Sequence, residues 1–454
     1  MSIATVSVIG LGYIGLPTAA ILASSGCQVI GVDISEHAVA TINDGRAHIV
    51  EPGLGALIAS TVGQGALRAT LIAEPADAFM IAVPTPFKGD HEPDLAYVKS
   101  ACDTIAPVLK KGDTVILEST SPVGATEQVA KWLAAARPDL VIPTARSQDE
   151  FTDIAIAYCP ERVLPGNVLI ELVKNDRVIG GLTPACSEAA KRVYALFVKG
   201  EIILTDARTA EMCKLAENSF RDVNIAFANE LSIVCDRLDI DVWELIALAN
   251  RHPRVDILQP GPGVGGHCIA VDPWFIVHSS RDQARLIRKA REVNDAKPDW
   301  VIDKVCAAVD EVRAARGTDE NVRIACLGLA FKRDIDDLRE SPALAICERL
   351  ADLPGCDVIA VEPNIDALPK QLAGRVVLEN VDVAIGVADV ILLLVDHHQF
   401  GDAYRLVDTR VPVIDTRGLW RERRDVRREN AAAHEPVDTM KMAVGDLDQS
   451  MARP

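Results

Sequence analysis

A strand, a glycine turn, a helix, a second strand and an acid follow one another at the start of the chain, and the same order returns near its other end. Thr5 to Ile9 is a short apolar run, Gly10-Leu11-Gly12-Tyr13-Ile14-Gly15 a tight turn, Leu16 to Ser25 a helical run, and Gln28 to Val32 a second strand ending in Asp33. Val322 to Phe331 echoes Thr5 to Ile14, and Asp357 to Glu362 echoes Gln28 to Asp33. Ala388 to Asp396 then mirrors Ala76 to Pro84, and Val413 to Thr416 mirrors Val115 to Thr120. Equal order at both ends predicts an α/β chain with two doubly wound, Rossmann-like domains. Between them, Thr209 to Asn250 and Asp282 to Ala315 carry helical periodicity, broken by a Gly/Pro-rich loop from Pro253 to Pro273. The expected organisation is a first domain at 1–205, a central helical region at 206–315, a second domain at 316–420 and a mobile tail at 421–454.

The two turns are not equivalent. In the first, Gly10, Gly12 and Gly15 allow a sharp bend, a close approach of backbone to a pyrophosphate, and tight packing of helix on strand. Asp33 follows about twenty residues later, where a carboxylate accepts hydrogen bonds from a ribose diol and repels the extra phosphate of NADP, so the expected cofactor is NAD. The second turn lacks the third glycine and closes on Lys332-Arg333, which suits the phosphates of a nucleotide better than a second dinucleotide. Strands at Ala78 to Val83 and Thr114 to Glu118 end in Pro84-Thr85-Pro86 and Ser119-Thr120-Ser121-Pro122-Val123-Gly124. Ligands bind beyond the carboxyl ends of such strands, so Thr85, Thr120 and Thr126 are cofactor-side candidates.

Charge and cysteine content narrow the classes further. With 65 acidic against 47 basic residues the formal charge is -18, which repels nucleic acid and anionic membrane faces. No run approaches the roughly 20 apolar residues of a membrane span, and no secretory leader precedes the first strand, so a cytoplasmic protein is expected. Eleven cysteines without a Cys-x-x-Cys pair fit neither a zinc ribbon nor a disulfide framework, and no metal site is expected.

Cys268 differs from the other cysteines. Its loop, Pro260-Gly261-Pro262-Gly263-Val264-Gly265-Gly266-His267-Cys268, is too poor in side chains to bury it, and glycine amides together with His267 favour the thiolate, the nucleophilic form. Asp272 lies just beyond as an acid or base. Lys214 and Asn218 are four apart on a predicted helix from Ala210 to Asn229, with Arg221 three further on, and the flanking Leu215, Phe220 and Phe227 imply that this helix is packed. A partly desolvated lysine there can stabilise an oxyanion or carry a proton. Cys159-Pro160-Glu161-Arg162-Val163-Leu164-Pro165-Gly166 forms a stiff loop with a carboxylate suited to activating water. Arg251-His252-Pro253-Arg254 and Lys332-Arg333 are basic knots in an acidic chain, suited to diphosphate or carboxylate.

Together these motifs resemble the nucleotide-sugar 6-dehydrogenases, the family that includes UDP-glucose and GDP-mannose dehydrogenases. The resemblance covers about residues 3 to 420 and rests on G-L-G-Y-I-G, V-P-T-P, E-S-T-S-P-V-G, C-P-E-R-V-L-P-G, K-L-A-E-N-S-F-R, G-P-G-V-G-G-H-C-I-A-V-D-P, F-K-R-D-I-D-D-L-R-E-S-P and D-T-R-G in that order. It implies an NAD-dependent, four-electron oxidation of a UDP-sugar's primary alcohol to a carboxylate, which would feed surface polysaccharide synthesis. Cys268 would trap the intermediate aldehyde as a thiohemiacetal and then carry a thioester, with Glu161 assisting the hydrolytic water. Lys214 and Asn218 would stabilise the negative oxygen, and Asp272 would position water or relay protons. Motif matching further places Tyr13, Ile14, Asp33, Thr85 and Thr126 at NAD positions. Arg162, Val163, Lys214, Asn218, Arg221, Gly263, Lys332, Arg333 and Arg417 fall at substrate positions, and His252 and Arg254 serve the neighbouring subunit of a homodimer built on the central helices. Ala125 departs from the pattern, since many relatives have threonine directly after P-V-G, and Thr126 is the substitute hydroxyl.

Other readings compete. The same machinery could act on a different nucleotide sugar, because epimers differ only in where one group points. A two-electron hydroxyacid dehydrogenase would need neither Cys268 nor the second nucleotide domain, a short-chain epimerase would carry Tyr-x-x-x-Lys, which is absent, and a nucleotide sensor without catalysis would have no use for Cys268, Lys214 and Glu161 together.

Overall fold

The computed structural model describes residues 3–145, 151–164, 166–266, 268–318 and 320–421. The chain divides into two compact units, Met1–Lys297 and Pro298–Pro454. The tail expected from residue 421 lies, from 422 onwards, outside the described residues, as does His267.

The first unit is built on an eight-stranded sheet. Its strands are β1 (Thr5–Ile9), β2 (Gln28–Val32), β3 (Leu67–Thr70), β4 (Ala78–Ile81), β7 (Thr114–Leu117), β8 (Ala155–Tyr158), β9 (Arg177–Gly181) and β10 (Ile202–Asp206), while β5 (Phe87–Lys88) and β6 (Glu92–Pro93) form a separate small hairpin. The order is β10-β9-β8-β7-β4-β1-β2-β3, and every pair is parallel except β8 with β9. The run β3-β2-β1-β4-β7-β8 is the dinucleotide-binding order, with its topological switch between β1 and β4. Side chains alternate across the sheet: Val6, Val8, Val29, Met80 and Ile116 pack in one core, and Ile9, Ile30, Phe79, Ile81, Val115 and Leu117 in the other. Both faces are covered, which is why these strands read as continuous apolar runs rather than alternating ones.

The long helical stretch expected over Thr209 to Asn250 is two helices, Ala207–Arg237 and Val242–Ala249. Asp239 breaks it by adopting a left-handed φ of 54°, and Asp241 then caps the second helix through the Trp243 and Glu244 amides. A further helix, Asp272–Ser279, closes the Gly/Pro-rich loop, with Pro273 in its first turn, where a missing N–H costs no bond. The helix Arg285–Arg316 carries the chain from the first unit into the second.

In the second unit β11 (Val322–Leu327), β12 (Cys356–Val361), β13 (Val377–Leu378), β14 (Val390–Leu393) and β15 (Val413–Asp415) form an all-parallel sheet in the order β13-β12-β11-β14-β15. The switch lies between β11 and β14, the counterpart of that between β1 and β4. The internal echo in the sequence is therefore an echo of topology, and the expected pair of Rossmann-like sheets is present.

Candidate active site

The first glycine turn meets the steric demands of a dinucleotide site. Gly10 has φ 91°, and a Cβ there would lie 2.6 Å from the Ala82 carbonyl oxygen; a Cβ on Gly15 would lie 1.8 Å from the Gly10 oxygen. Gly12, by contrast, is exposed and a Cβ on it would meet nothing within 4 Å, so the turn presents bare backbone to solvent where a pyrophosphate would approach. The helix Gly15–Ser24 starts here without any side-chain cap, so its positive end faces the turn unscreened by a carboxylate or hydroxyl of its own. Asp33 accepts hydrogen bonds from the Leu11 amide (2.8 Å) and the Ser35 amide (2.9 Å), which fix its carboxylate at the end of β2. These features fit NAD, which would lie along the turn with its ribose against Asp33. Tyr13 and Ile14, half-buried, flank the open edge.

The threonine candidates part company. Thr85 donates to the Thr120 carbonyl at 2.5 Å, joining the loops that follow β4 and β7, and both residues are half-buried. Thr126 is fully buried, and its hydroxyl donates to Glu211 at 2.6 Å while its amide and that of Gly124 bond the same carboxylate. Its proton therefore ties the helix Ala125–Ala136 to the helix Ala207–Arg237.

Around the candidate nucleophile, burial and charge combine. Cys268 is exposed, whereas Cys27, Cys102, Cys159, Cys186, Cys235, Cys326 and Cys347 are buried. Its carbonyl accepts from the Val271 and Asp272 amides, so the cysteine sits in the turn that opens the helix Asp272–Ser279. Asp272 is buried and accepts from Asn218 Nδ2 at 2.5 Å. Burial pushes its carboxyl up to about 7, against the opposing pull of Lys214 and of the Asn218 bond. Lys214 and Asn218 share the buried face of the helix Ala207–Arg237, packed through Leu215 on Val271 and Phe275. The expectation that Phe220 and Phe227 pack this helix fails: they are 71% and 53% exposed and lie on the opposite face. Arg221, placed on the same stripe as Lys214 by spacing, is also exposed. A helix with two apolar faces looks packed from either one, and sequence alone does not say which face meets this chain's own core.

Glu161 and Lys214 belong to one assembly. The Arg162 guanidinium grips Glu217 with Nε at 3.1 Å from Oε2 and Nη2 at 2.6 Å from Oε1, joining the loop after β8 to the helix that carries Lys214 and Asn218. Glu161 is buried, with Arg177 Nη1 at 2.8 Å and the Arg162 amide at 2.6 Å. Val163, half-buried, packs on the first core. Three residues that sequence reading passed over hold these loops in place. Glu51 accepts from the Gly166 and Val168 amides, Glu211 from Gly124 and Thr126, and Arg177 is fully buried against Glu161. Glu51 stands in a Glu-Pro-Gly-Leu turn, the only local hint that it does more than face solvent. Gly263 is half-buried in the cysteine loop, and His252 and Arg254 are exposed.

In the second unit the turn after β11 has a different anchor. Glu362 accepts from the Leu329 amide (2.8 Å) and the Ala330 amide (3.0 Å), and its Oε2 lies 3.0 Å from Nε2 of the fully buried His397. The Asp334 amide donates to His397 Nδ1 at 2.9 Å, which makes Nδ1 the acceptor and Nε2 the proton-bearing nitrogen that faces Glu362. Asp334 in turn accepts from the His398 amide; partial burial raises its carboxyl, but the His398 and Arg333 bonds outweigh this and bring it down to about 2. Lys332 and Arg333 are exposed on this pinned loop, and Arg417, after β15, is held by Asp396 at 2.9 Å. All three stand beyond the carboxyl ends of strands, Lys332 and Arg333 after β11 at the switch point and Arg417 after the edge strand β15.

The dinucleotide turn at the switch point of the first sheet defines a dinucleotide-binding protein. The UDP-glucose/GDP-mannose dehydrogenase family profile matches in three parts, an NAD binding domain at residues 4–198, a central domain at 208–296 and a UDP binding domain at 325–422. The chain belongs to this family of NAD-dependent nucleotide-sugar dehydrogenases, and its cofactor is NAD. It is 63% identical over 428 residues to a UDP-N-acetyl-D-mannosamine dehydrogenase of Salmonella typhi, covering 93% of this chain and 100% of that one. An NDP-N-acetyl-D-galactosaminuronic acid dehydrogenase of Ralstonia nicotianae is 63% identical over 422 residues, 92% of this chain and 97% of that one. Among solved structures, the UDP-D-ManNAc dehydrogenase of Pyrococcus horikoshii superposes with a TM-score of 0.81 at 37% identity, over 91% of this chain and 96% of that one. No helix among the described residues is long and apolar enough to cross a membrane.

Proposed function

We propose that the chain oxidises the C6 alcohol of UDP-N-acetyl-D-mannosamine to the carboxylate, supplying a surface polysaccharide precursor. The observation that carries this is the exposed Cys268 at the head of a helix whose first residue, Asp272, is buried against Asn218 and Lys214. Two NAD molecules, bound one after the other, would each accept one hydride. Asp272, with its carboxyl near neutrality, takes up or passes on the proton of the sugar hydroxyl. The Cys268 thiolate adds to the aldehyde carbon, so that the aldehyde stays bound as a thiohemiacetal and becomes a thioester after the second oxidation. Lys214 and Asn218 donate to the oxygen that carries negative charge at each stage. Glu161 takes a proton from the water that cleaves the thioester. Tyr13, Ile14, Asp33, Thr85 and Thr120 line the cofactor, while Thr126 shapes the loop from beneath. Arg162, Val163, Arg221, Gly263, Lys332, Arg333 and Arg417 serve the substrate.

The active form is a homodimer. Phe220, Phe227 and Val234 recur at heptad spacing along the outer face of the helix Ala207–Arg237 and are 71%, 53% and 46% exposed, with Leu238 continuing the stripe. A second copy covering this stripe would bring the exposed His252 and Arg254 towards a neighbour's site. Replacing Phe227 by Glu should convert the dimer to monomers by light scattering. A dimer that persists in that variant and in Phe220→Glu would remove this interface.

The substrate is tested by offering UDP-N-acetylmannosamine, UDP-N-acetylgalactosamine and UDP-N-acetylglucosamine in turn and comparing kcat/KM. Preference for the manno sugar by about tenfold or more supports the reading. The 63% identity to a relative named for a galactosaminuronic acid makes the galacto sugar the second reading, and preference for it would replace the first.

A further inference from the structure

Arg177 is buried without residue, at 0% exposure, and no step above uses it. It opens β9, where its amide donates to the Glu201 carbonyl, so the sheet fixes its backbone. One guanidinium nitrogen donates to Glu161 Oε2 at 2.8 Å, another to the Leu172 carbonyl at 2.9 Å, and the group lies 5.7 Å from the Tyr194 ring centroid. Two charges taken this far out of water are a poor source of stability, since an apolar pair of the same volume does as well or better. What the pair provides is geometry. With Arg177 on Oε2 and the Arg162 amide on Oε1, the Glu161 carboxylate has one orientation, and each oxygen keeps a lone pair for a further donor.

The surroundings sharpen this. Glu118, at the end of β7, accepts from the Tyr194 hydroxyl at 2.7 Å, and Cys159 lies beside Tyr194 and Arg177. Burial, and then the charge of Glu161, raise the Glu118 carboxyl to about 7, and burial raises the Cys159 thiol to about 12. One buried guanidinium thus serves two buried carboxyls, and its hydrogen bond goes to Glu161.

We propose that Arg177 is a positioning residue for thioester hydrolysis, holding the Glu161 carboxylate in the orientation that faces the water attacking the acyl carbon. The proposal rests on the reading of Glu161 given above. In that step the water oxygen bonds to the acyl carbon and Glu161 takes one of its protons. The carbon–sulfur bond then breaks, the thiolate returns to Cys268, and the acid formed releases its other proton to solvent.

The test compares Arg177→Met, Arg177→Lys, Glu161→Gln and the double variant Arg177→Met/Glu161→Gln, following NADH release by stopped flow and the acyl-enzyme by quenched intact mass. Glu161→Gln should slow hydrolysis about a hundredfold and let the thioester accumulate; normal hydrolysis in that variant would sink the reading of Glu161 itself. If the reading stands, Arg177→Met should also accumulate thioester, at least tenfold slower in hydrolysis than the parent chain, with near-normal formation of the first NADH. The double variant should be no slower than Glu161→Gln alone, and Arg177→Lys should regain part of the rate. Normal hydrolysis in Arg177→Met, an effect that multiplies with that of Glu161→Gln, or an equal fall in NADH formation and hydrolysis would overturn the proposal. Should Arg177→Met not fold, Arg177→Lys decides alone, since an ammonium cannot hold Glu161 and the Leu172 carbonyl as the guanidinium does: slowed hydrolysis with near-normal first NADH supports the proposal, and hydrolysis at the parent rate or an equal fall in both steps overturns it.

Discussion

The chain contains one turn twice, and the two copies differ in what holds them and in what they leave open. After β1, Gly10 (φ 91°) is pressed against Ala82; after β11, Gly328 (φ 94°) is pressed against Val395, where a Cβ would lie 2.4 Å from the valine Cβ. In both, an acid at the end of the next strand accepts from the turn's amides, Asp33 from Leu11 and Glu362 from Leu329 and Ala330. There the likeness ends. The first turn runs directly into a helix over a bare Gly12, and its acid remains half-exposed, free to meet a ribose. The second has Ala330 and Arg333 in place of Gly12 and Gly15, opens into a loop before its helix at Pro342–Leu350, and buries its acid against His397. On the proposed reading, the carboxylate left open to ligand in one copy is a structural anchor in the other, where the exposed cations Lys332 and Arg333 would meet the nucleotide instead.

The comparison can be broken most severely at its tightest point. Gly15→Val places side-chain atoms where a Cβ alone would already lie 1.8 Å from the Gly10 oxygen, so NAD binding by calorimetry should be lost together with several degrees of Tm; a variant that binds NAD normally would refute the role of the turn. Next in size, Glu362→Ala strips acceptors from two buried amides and from His397 and should cost about 3–5 kcal/mol in denaturant unfolding of the second unit. Asp33→Ala should leave stability within about 1 kcal/mol yet weaken NAD binding and narrow the preference over NADP. Lys332→Ala and Arg333→Ala should each raise the KM for UDP-sugar by about tenfold with kcat and the KM for NAD little changed, as contacts made equally in ground and transition states do.

The smallest effects are in pH. Burial works to raise Glu362, but His397 and the two amides outweigh it and set its carboxyl below the ordinary glutamate value. Its contribution to stability is therefore present above the unfolded value and lost as pH falls through the lower folded one. Glu362→Gln should lose part of the acid-side slope of stability against pH, read from denaturant unfolding at a series of pH values. Asp272 has the opposite sign: its carboxyl stands near 7, so a step that needs the carboxylate should rise with pH through neutrality, and Asp272→Asn should flatten that limb. Glu118 titrates in the same range, and the limb should survive Glu118→Gln.

Much of the fold was legible because it is written in local order. Apolar runs, turns and acids appear in the same sequence at both ends, and the observed switch points follow from that order. The cysteine loop was legible for a related reason: a run of Gly and Pro cannot bury the thiol it carries. Strands β3, β8, β9, β10 and β13 and the small β5–β6 hairpin were not read, and with β9 went Arg177. Its pairing with Glu161 depends on β9 lying antiparallel to β8, a fact of topology that no nearby residue announces. Glu51 reaches amides of Gly166 and Val168 on a distant loop, and Glu211 those of Gly124 and Thr126, by the same kind of long-range closure. Lys214 and Asn218 were identified by spacing, but the reason offered, packing by Phe220 and Phe227, belonged to the wrong face of the helix.

The central claim is that Cys268 carries a UDP-N-acetylmannosamine-derived aldehyde to the acid without releasing it, and counting electrons tests it most directly. With excess NAD, the parent chain should form about two NADH per UDP-N-acetylmannosamine consumed and no free aldehyde, while Cys268→Ala should bind both ligands and form no acid. One NADH per sugar with free aldehyde in solution, or acid formation at the parent rate by Cys268→Ala, would contradict the account.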